Sequence, residues 1–375
     1  MRTLRLAVAA LLVCCLPLHA AERWSPEKAN AWYNRQPWLV GCNFIPSTAI
    51  NQLEMWQADT FDPTTIDREL GWAHDIGFNT MRVFLHNIPW EQDREAFLKR
   101  VDKFLQIADR HQIRVTFVLF DSVWNPDPHA GPQPAPTPHV HNSGWVQAPG
   151  LAELRDPAAQ PKLRGYVRDV VGRFAHDKRV VIWDLMNEPD NRNEDKEPPE
   201  KAAWAAALLK NTFAWAREMN PDQPLTSGVW DGEWSSDAKL KPMERLQLEN
   251  SDVITFHNYR KLEEMKADVQ ALRRFGRPVI CTEYMARTRG STFQAILPYL
   301  AEAHVGAYNW GFVSGKTQTI YPWDSWHKQY TAEPEMWFHD VLRPDGTPYD
   351  AKETKLIREL VDKQAKARAA TAPVQ

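Results

Sequence analysis

Eight short, strongly apolar runs recur along the 375-residue chain, at 39–44, 80–85, 113–120, the opening of 180–190, 225–230, 253–257, 278–284 and 306–312. Between most of them lie segments with apolar residues at helical spacing. Ile66, Leu70, Ala73 and Ile76 share one face, as do Phe97, Val101, Leu105 and Ala108, then Leu163, Val167, Val170 and Phe174, and later Leu262, Met265, Val269 and Leu272. Strands that are apolar on both sides are buried on both sides, which is the condition of a parallel sheet covered by helices. Continuous strand–helix alternation therefore implies an α/β fold, either an open doubly wound sheet or a closed (β/α)8 barrel. No glycine-rich phosphate loop follows any of the runs, which counts against the dinucleotide-binding form of the open sheet.

The ends of the runs discriminate further. The fourth reads Val180-Val-Ile-Trp-Asp-Leu-Met and stops at Asn187-Glu188-Pro189; the seventh closes on Glu283. Pro189 lacks an N–H for a ladder and biases Glu188 toward an extended conformation, aiming its carboxylate out of the strand end. A single glutamate after a strand is usually a solvated loop residue. Two at the ends of buried strands suggest paired-carboxylate chemistry. Arg82 interrupts the second run, on the same face as Phe84 and His86, and an arginine buried there needs a carboxylate neighbour. His257 and Tyr259 share a face at the end of the sixth run, and Trp310 lies in the eighth. Only a closed barrel brings Arg82, Asn187, Glu188, His257, Tyr259, Glu283 and Trp310 onto one rim.

These residues resemble those of glycoside hydrolase family 5 and its wider clan of (β/α)8 retaining glycosidases. In that family the acid/base stands in an Asn-Glu-Pro corner after strand four, as Glu188 does, and the nucleophile ends strand seven, as Glu283 does. The resemblance implies that Arg82 supports the nucleophile, that Asn187 binds the sugar 2-hydroxyl, and that the His257-x-Tyr259 pair holds the acid/base or nucleophile by hydrogen bonds. It makes Trp310 the floor of the subsite at the cleavage point. The sequence departs from the family at the end of strand three, where Asp121 stands in place of a histidine, either as a sugar-hydroxyl ligand or as a loop cap. Double displacement by the two glutamates requires no cofactor. A non-hydrolytic carbohydrate-binding barrel and a metal-dependent barrel hydrolase are the alternatives. The first has no reason to keep both glutamates, and the second needs His and Asp ligands at strand ends.

Two long loops follow strands three and eight. The stretch 122–150 is too rich in proline for regular structure, and is expected to be a lid that turns Trp124 or Trp145 toward substrate. Its His129, His139 and His141 have no Asp, Glu or Cys at metal-ligand spacing, so no metal is expected. The stretch after strand eight carries Tyr321, Trp323, Trp326 and Trp337, either a substrate wall or a packed subdomain. Aromatic faces suit the apolar C–H surfaces of sugar rings, and the chain has 17 tryptophans. Walled by these loops, the cleft leans toward short β-linked glucan- or mannan-type substrates.

The length accommodates one large barrel, which needs roughly 250 residues plus insertions. A net charge of −3 with mixed signs argues against a nucleic-acid partner. Arg2 and Arg5, the apolar run 6–16 and a small-residue exit at Ala20-Ala21 read as a signal peptide over 1–21, too short to span a bilayer. The expectation is a secreted or periplasmic monomer with no membrane contact after cleavage, a single catalytic domain over 22–369 and a disordered tail over 370–375. Cys42 and Cys281 fall on strands one and seven, with strand eight between them, so they are expected to be free and buried.

Overall fold

The computed structural model describes residues 22–371; the expected signal peptide lies outside them. Eight strands, β1 (Val40–Asn43), β2 (Thr80–Phe84), β3 (Arg114–Val118), β4 (Val180–Asp184), β5 (Leu225–Thr226), β6 (Ile254–His257), β7 (Val279–Tyr284) and β8 (Gly306–Asn309), run in the order 5-4-3-2-1-8-7-6. Every neighbouring pair in this order is parallel. The two ends of this order meet at Val229, which bridges to Phe256 in parallel and exchanges bonds with Thr255 and His257. The side chains of Thr226 and Thr255 join across the same seam at 2.8 Å. The sheet is thereby a nearly closed (β/α)8 barrel.

Period-two alternation explains where the side chains go. On β2, Met81 and Val83 face outward, into the main core shared with Ile66, Leu70, Phe97 and Val101 of the surrounding helices. Thr80, Arg82 and Phe84 face inward, and the Thr80 hydroxyl meets Tyr308 from β8 at 3.0 Å inside the barrel. The amino-terminal arm plugs the bottom. Its helix Pro26–Asn34 is capped by Ser25, and Trp24, Trp32 and Tyr33 pack under Leu39, Val181, Val253, Ile280 and Tyr308. With the bottom filled, the working face is the carboxyl end of the strands.

Several boundaries differ from the sequence reading. Strand five ends at Thr226 because the next groups are taken out of the ladder: the Ser227 hydroxyl donates to Met186 O and the Gly228 carbonyl accepts from Gln247. Strand eight stops at Asn309 because Gly311, at φ +76°, turns the chain. The last helix, Ala351–Thr371, extends into the first two residues of the expected tail over 370–375; its alanines, lysines and arginines are strong helix formers. Residues 372–375 lie outside the described part. Cys42 and Cys281 are free and buried. Among the described residues no helix is long and apolar enough to cross a membrane.

The two long loops form one structure. His141 donates from its backbone N–H to the Ser325 hydroxyl and from Nδ1 to Tyr321 O, Asn142 N–H reaches Thr317 O, and Gln318 bonds Thr137 and His139. Residues after β8 therefore divide between both expected roles. Ile320, Tyr321 and Trp337 build a small core of their own, while Trp323 turns to the barrel mouth.

Candidate active site

A cavity of about 380 Å³ opens at the carboxyl end of the barrel. Beneath the residues that line it lies Arg82, which was expected to touch substrate but is wholly buried where β1, β2, β4 and β7 converge. The guanidinium is saturated: Nε donates to Asp184 Oδ2 at 3.0 Å, one terminal nitrogen to Asn43 Oδ1 and Glu283 Oε1, both at 2.8 Å, and the other to Asn187 Oδ1 at 2.7 Å. A charge at zero exposure is tolerable only with such partners. It fixes one oxygen of Glu283, and the Tyr259 hydroxyl fixes the other at 2.7 Å.

Glu188 stands opposite with a different environment. Asn191 donates to its Oε2 at 2.6 Å, and His257 Nδ1 lies 2.7 Å from its Oε1 and 3.5 Å from Glu283 Oε2. Among the described residues no arginine pairs with Glu188. Burial pushes its pKa up to about 7, with Asp190 and Asp231 adding and the Asn191 hydrogen bond and Arg82 opposing. Loss of water on burial is the largest cause of the shift. Burial raises Glu283 as well, but His257, Arg82 and the Tyr259 hydroxyl counteract. Burial also lowers His257 to about 4, leaving its ring neutral.

The conformation of Glu188 corrects an expectation. Pro189 does exclude the right-handed helical region, but Glu188 adopts φ +41° and not an extended backbone. A tight turn forces this, closed by Asn191 N–H on Glu188 O at 2.9 Å.

Trp310, Trp124, Trp145 and Trp323 all line the cavity. Trp310 packs edge-on to Phe84 and Trp145, and Trp323 stands perpendicular to Tyr259 at 5.1 Å between ring centres. Trp124 stacks on Trp326 at the rim.

Asp121, expected among the substrate-binding residues, does not line the cavity. It is 1% exposed, and it accepts from Trp145 Nε1 at 2.6 Å, Asn187 Nδ2 at 3.0 Å, Val123 N–H and Gln52. The loop 122–150 folds back over it, pairing Asp121 with Ala148, so a residue at a strand end is roofed by its own loop. Asp121→Ala is accordingly expected to cost about 2 kcal/mol of stability, because the buried donors of Trp145, Asn187 and Gln52 lose this acceptor. Denaturant unfolding checks this. An unchanged midpoint with a raised KM would return Asp121 to the substrate.

Sequence reasoning missed Asn191, Trp230, Asp231, His141, Arg289 and His339, all of which line the cavity. Asn191 had a signal, since it lies three residues after Glu188 in a proline turn. His339 and Arg289 had none, because their segments reach the mouth only through tertiary packing. Glu188, His257 and Glu283 also offer ligand atoms within 4.8 Å of one another, a spacing open to a metal ion. A cation there would face the Arg82 guanidinium on the same carboxylate, and that repulsion opposes ligation.

A parallel barrel with two buried glutamates converging on one rim, one held by an arginine and one by an asparagine and a histidine, defines the architecture of a glycoside hydrolase. The family model for cellulase, glycosyl hydrolase family 5, matches residues 48–315, and the chain belongs to that family. Among solved structures the fold is similar to an exo-β-1,4-mannosidase from Opitutaceae bacterium strain TAV5, with TM-score 0.59 and 20% identity over 90% of this chain. The chain spans 61% of that protein. An endo-β-1,4-mannanase from Thermotoga petrophila matches with TM-score 0.57 and 12% identity, over 92% of this chain and 80% of that one. A family 5 protein from Streptomyces cattleya in complex with Manβ1-4GlcNAc gives 0.57 and 12%, over 91% and 83%. No curated protein matches the sequence.

Proposed function

We propose that the protein is a secreted retaining β-glycosidase, acting by double displacement on short β-linked gluco- or manno-oligosaccharides, with Glu188 as acid/base and Glu283 as nucleophile. The observation that carries this is the contrast between two carboxylates, one oxygen of each lying within 4.8 Å of one oxygen of the other. That approach is near the ~5–5.5 Å of retaining enzymes and short of the ~6.5–9.5 Å that leaves room for an attacking water.

Glu283, oriented by Arg82 and Tyr259, attacks the anomeric carbon. Glu188, protonated near neutrality, gives its proton to the departing oxygen and later takes one from the water that cleaves the glycosyl-enzyme. Asn187, held by Arg82 and Asp121, turns its remaining amide hydrogen to the sugar 2-hydroxyl. Trp310 supplies an apolar floor for the ring, with Trp124 and Trp323 at the sides.

A cavity of about 380 Å³ is at the small end of ligand sites, ~300–1,000 Å³. The stitched loops wall it, which supports action on chain ends or short oligosaccharides. The fold-level likeness to an exo-mannosidase and a mannanase favours β-mannosides as the first substrates to try.

The test is a screen of aryl β-glycosides and β-1,4-oligosaccharides with NMR of the first product. Retention, giving the β-anomer, is expected; the α-anomer sinks the mechanism. The same enzyme should lose kcat/KM by about tenfold per pH unit above pH 7, as Glu188 gives up the proton it must donate. The rate should fall again in acid as Glu283 protonates, both limbs belonging to the coupled pair.

A further inference from the structure

Lys201 opens the helix Lys201–Glu218 and is wholly buried, as is its ion-pair partner Glu197. A methionine-like apolar pair of similar volume commonly replaces a buried ion pair without loss of stability, so stability alone gives no reason for these charges. Their hydrogen bonds do. The ammonium spends its three donors on Glu197, on Ser122 O at 2.6 Å and on Asn191 O at 2.8 Å. Glu197 in turn takes Gln147 Nε2 and Asn193 N–H, both at 2.6 Å.

Ser122 and Asn191 are the two residues that grip the turn carrying Glu188. Ser122 donates its N–H to Asn187 O at 3.2 Å and its hydroxyl to Pro189 O at 3.1 Å, one bond on either side of Glu188. Asn191 closes the turn by its backbone N–H and holds the Glu188 carboxylate by its side chain. A non-glycine residue at φ +41° persists only where its surroundings over-determine it. Both halves of the clamp end on one nitrogen atom.

We propose that Lys201 is a positioning residue for the acid/base: by tying Ser122 and Asn191 together it holds Glu188 in the left-handed turn that aims its carboxyl at the leaving group. The proposal rests on the reading of Glu188 as acid/base. It assigns a role to a loop end that touches neither the cavity nor the substrate.

The test compares kcat/KM on an unactivated β-disaccharide, which needs protonation, with that on a dinitrophenyl β-glycoside, which does not. The Lys201→Met/Glu197→Gln double variant removes both charges together, and circular dichroism and melting confirm that it is folded. Its loss should be about tenfold or more on the disaccharide and under about threefold on the dinitrophenyl glycoside, a fraction of the ~10²–10⁴ that a general acid contributes. Equal losses on both substrates, or none, overturn the proposal. If the double variant does not fold, Lys201→Arg carries the same comparison, since a planar guanidinium keeps the charge but no single nitrogen of it has the three hydrogens that serve both carbonyls and Glu197 together. Glu188→Gln run alongside separates the two ideas. If it too shows no dependence on leaving group, the acid/base assignment itself fails; if it does and the Lys201 variants do not, only the positioning role is lost.

Discussion

Glu283→Ala is expected to abolish turnover on every substrate, activated or not, with a fall of roughly 10⁴–10⁶-fold, the scale seen when a covalent nucleophile is removed. Nothing else at the site can replace it. Asp184 is engaged by Arg82 at 2.8 Å beneath the floor, and Glu188 stands on the leaving-group side. The fold should survive, because Arg82 keeps its Asp184, Asn43 and Asn187 partners. Azide fits the space vacated by the carboxylate and should restore part of the rate on a dinitrophenyl β-glycoside, giving the α-glycosyl azide in a single inversion. Full activity, or rescue that gives only the β-azide, would remove Glu283 from the nucleophile's role.

Glu188→Ala is expected to act unevenly. On glycosides with poor leaving groups kcat/KM should drop by ~10²–10⁴, because the departing alkoxide has no proton donor. On a dinitrophenyl glycoside, whose leaving group needs none, kcat/KM should be nearly preserved while kcat falls, since water attack on the glycosyl-enzyme still lacks its base. Azide should then accelerate turnover with retained configuration. The basic limb of the pH profile, set by the Glu188 carboxyl near 7, should vanish with it. A variant equally impaired on all leaving groups, with the basic limb intact, would assign the proton to another group.

Much of this site was legible before any coordinates. The glutamates at the ends of the fourth and seventh runs, Arg82 within the second and the His257-x-Tyr259 pair are local patterns. In a parallel barrel, ending a strand places its last side chains on a common rim whatever the loops do. The hydrogen bonds of Arg82 to Glu283, Tyr259 to Glu283 and His257 to Glu188 follow from that placement.

What escaped lay in the loops. Asp121 also ends a strand, yet the return of its own loop covers it, so the rim rule fails there. Trp230 stood at the end of an expected strand and was passed over, since only in three dimensions does its ring line the cavity and its Nε1 meet Asp190 at 2.7 Å. His339 is 56 residues beyond Glu283 in the chain, in a segment whose packing nothing local dictates.

The sequence by itself determined the barrel, its rim and the identity of the two carboxylates there, because strand period and burial are properties of short stretches. How strongly burial raises the Glu188 carboxyl, the left-handed turn at that residue and the Lys201 contacts beside it were decided only by the tertiary structure. Each depends on how much water is excluded and on partners brought from distant loops, and neither quantity exists until the chain has folded.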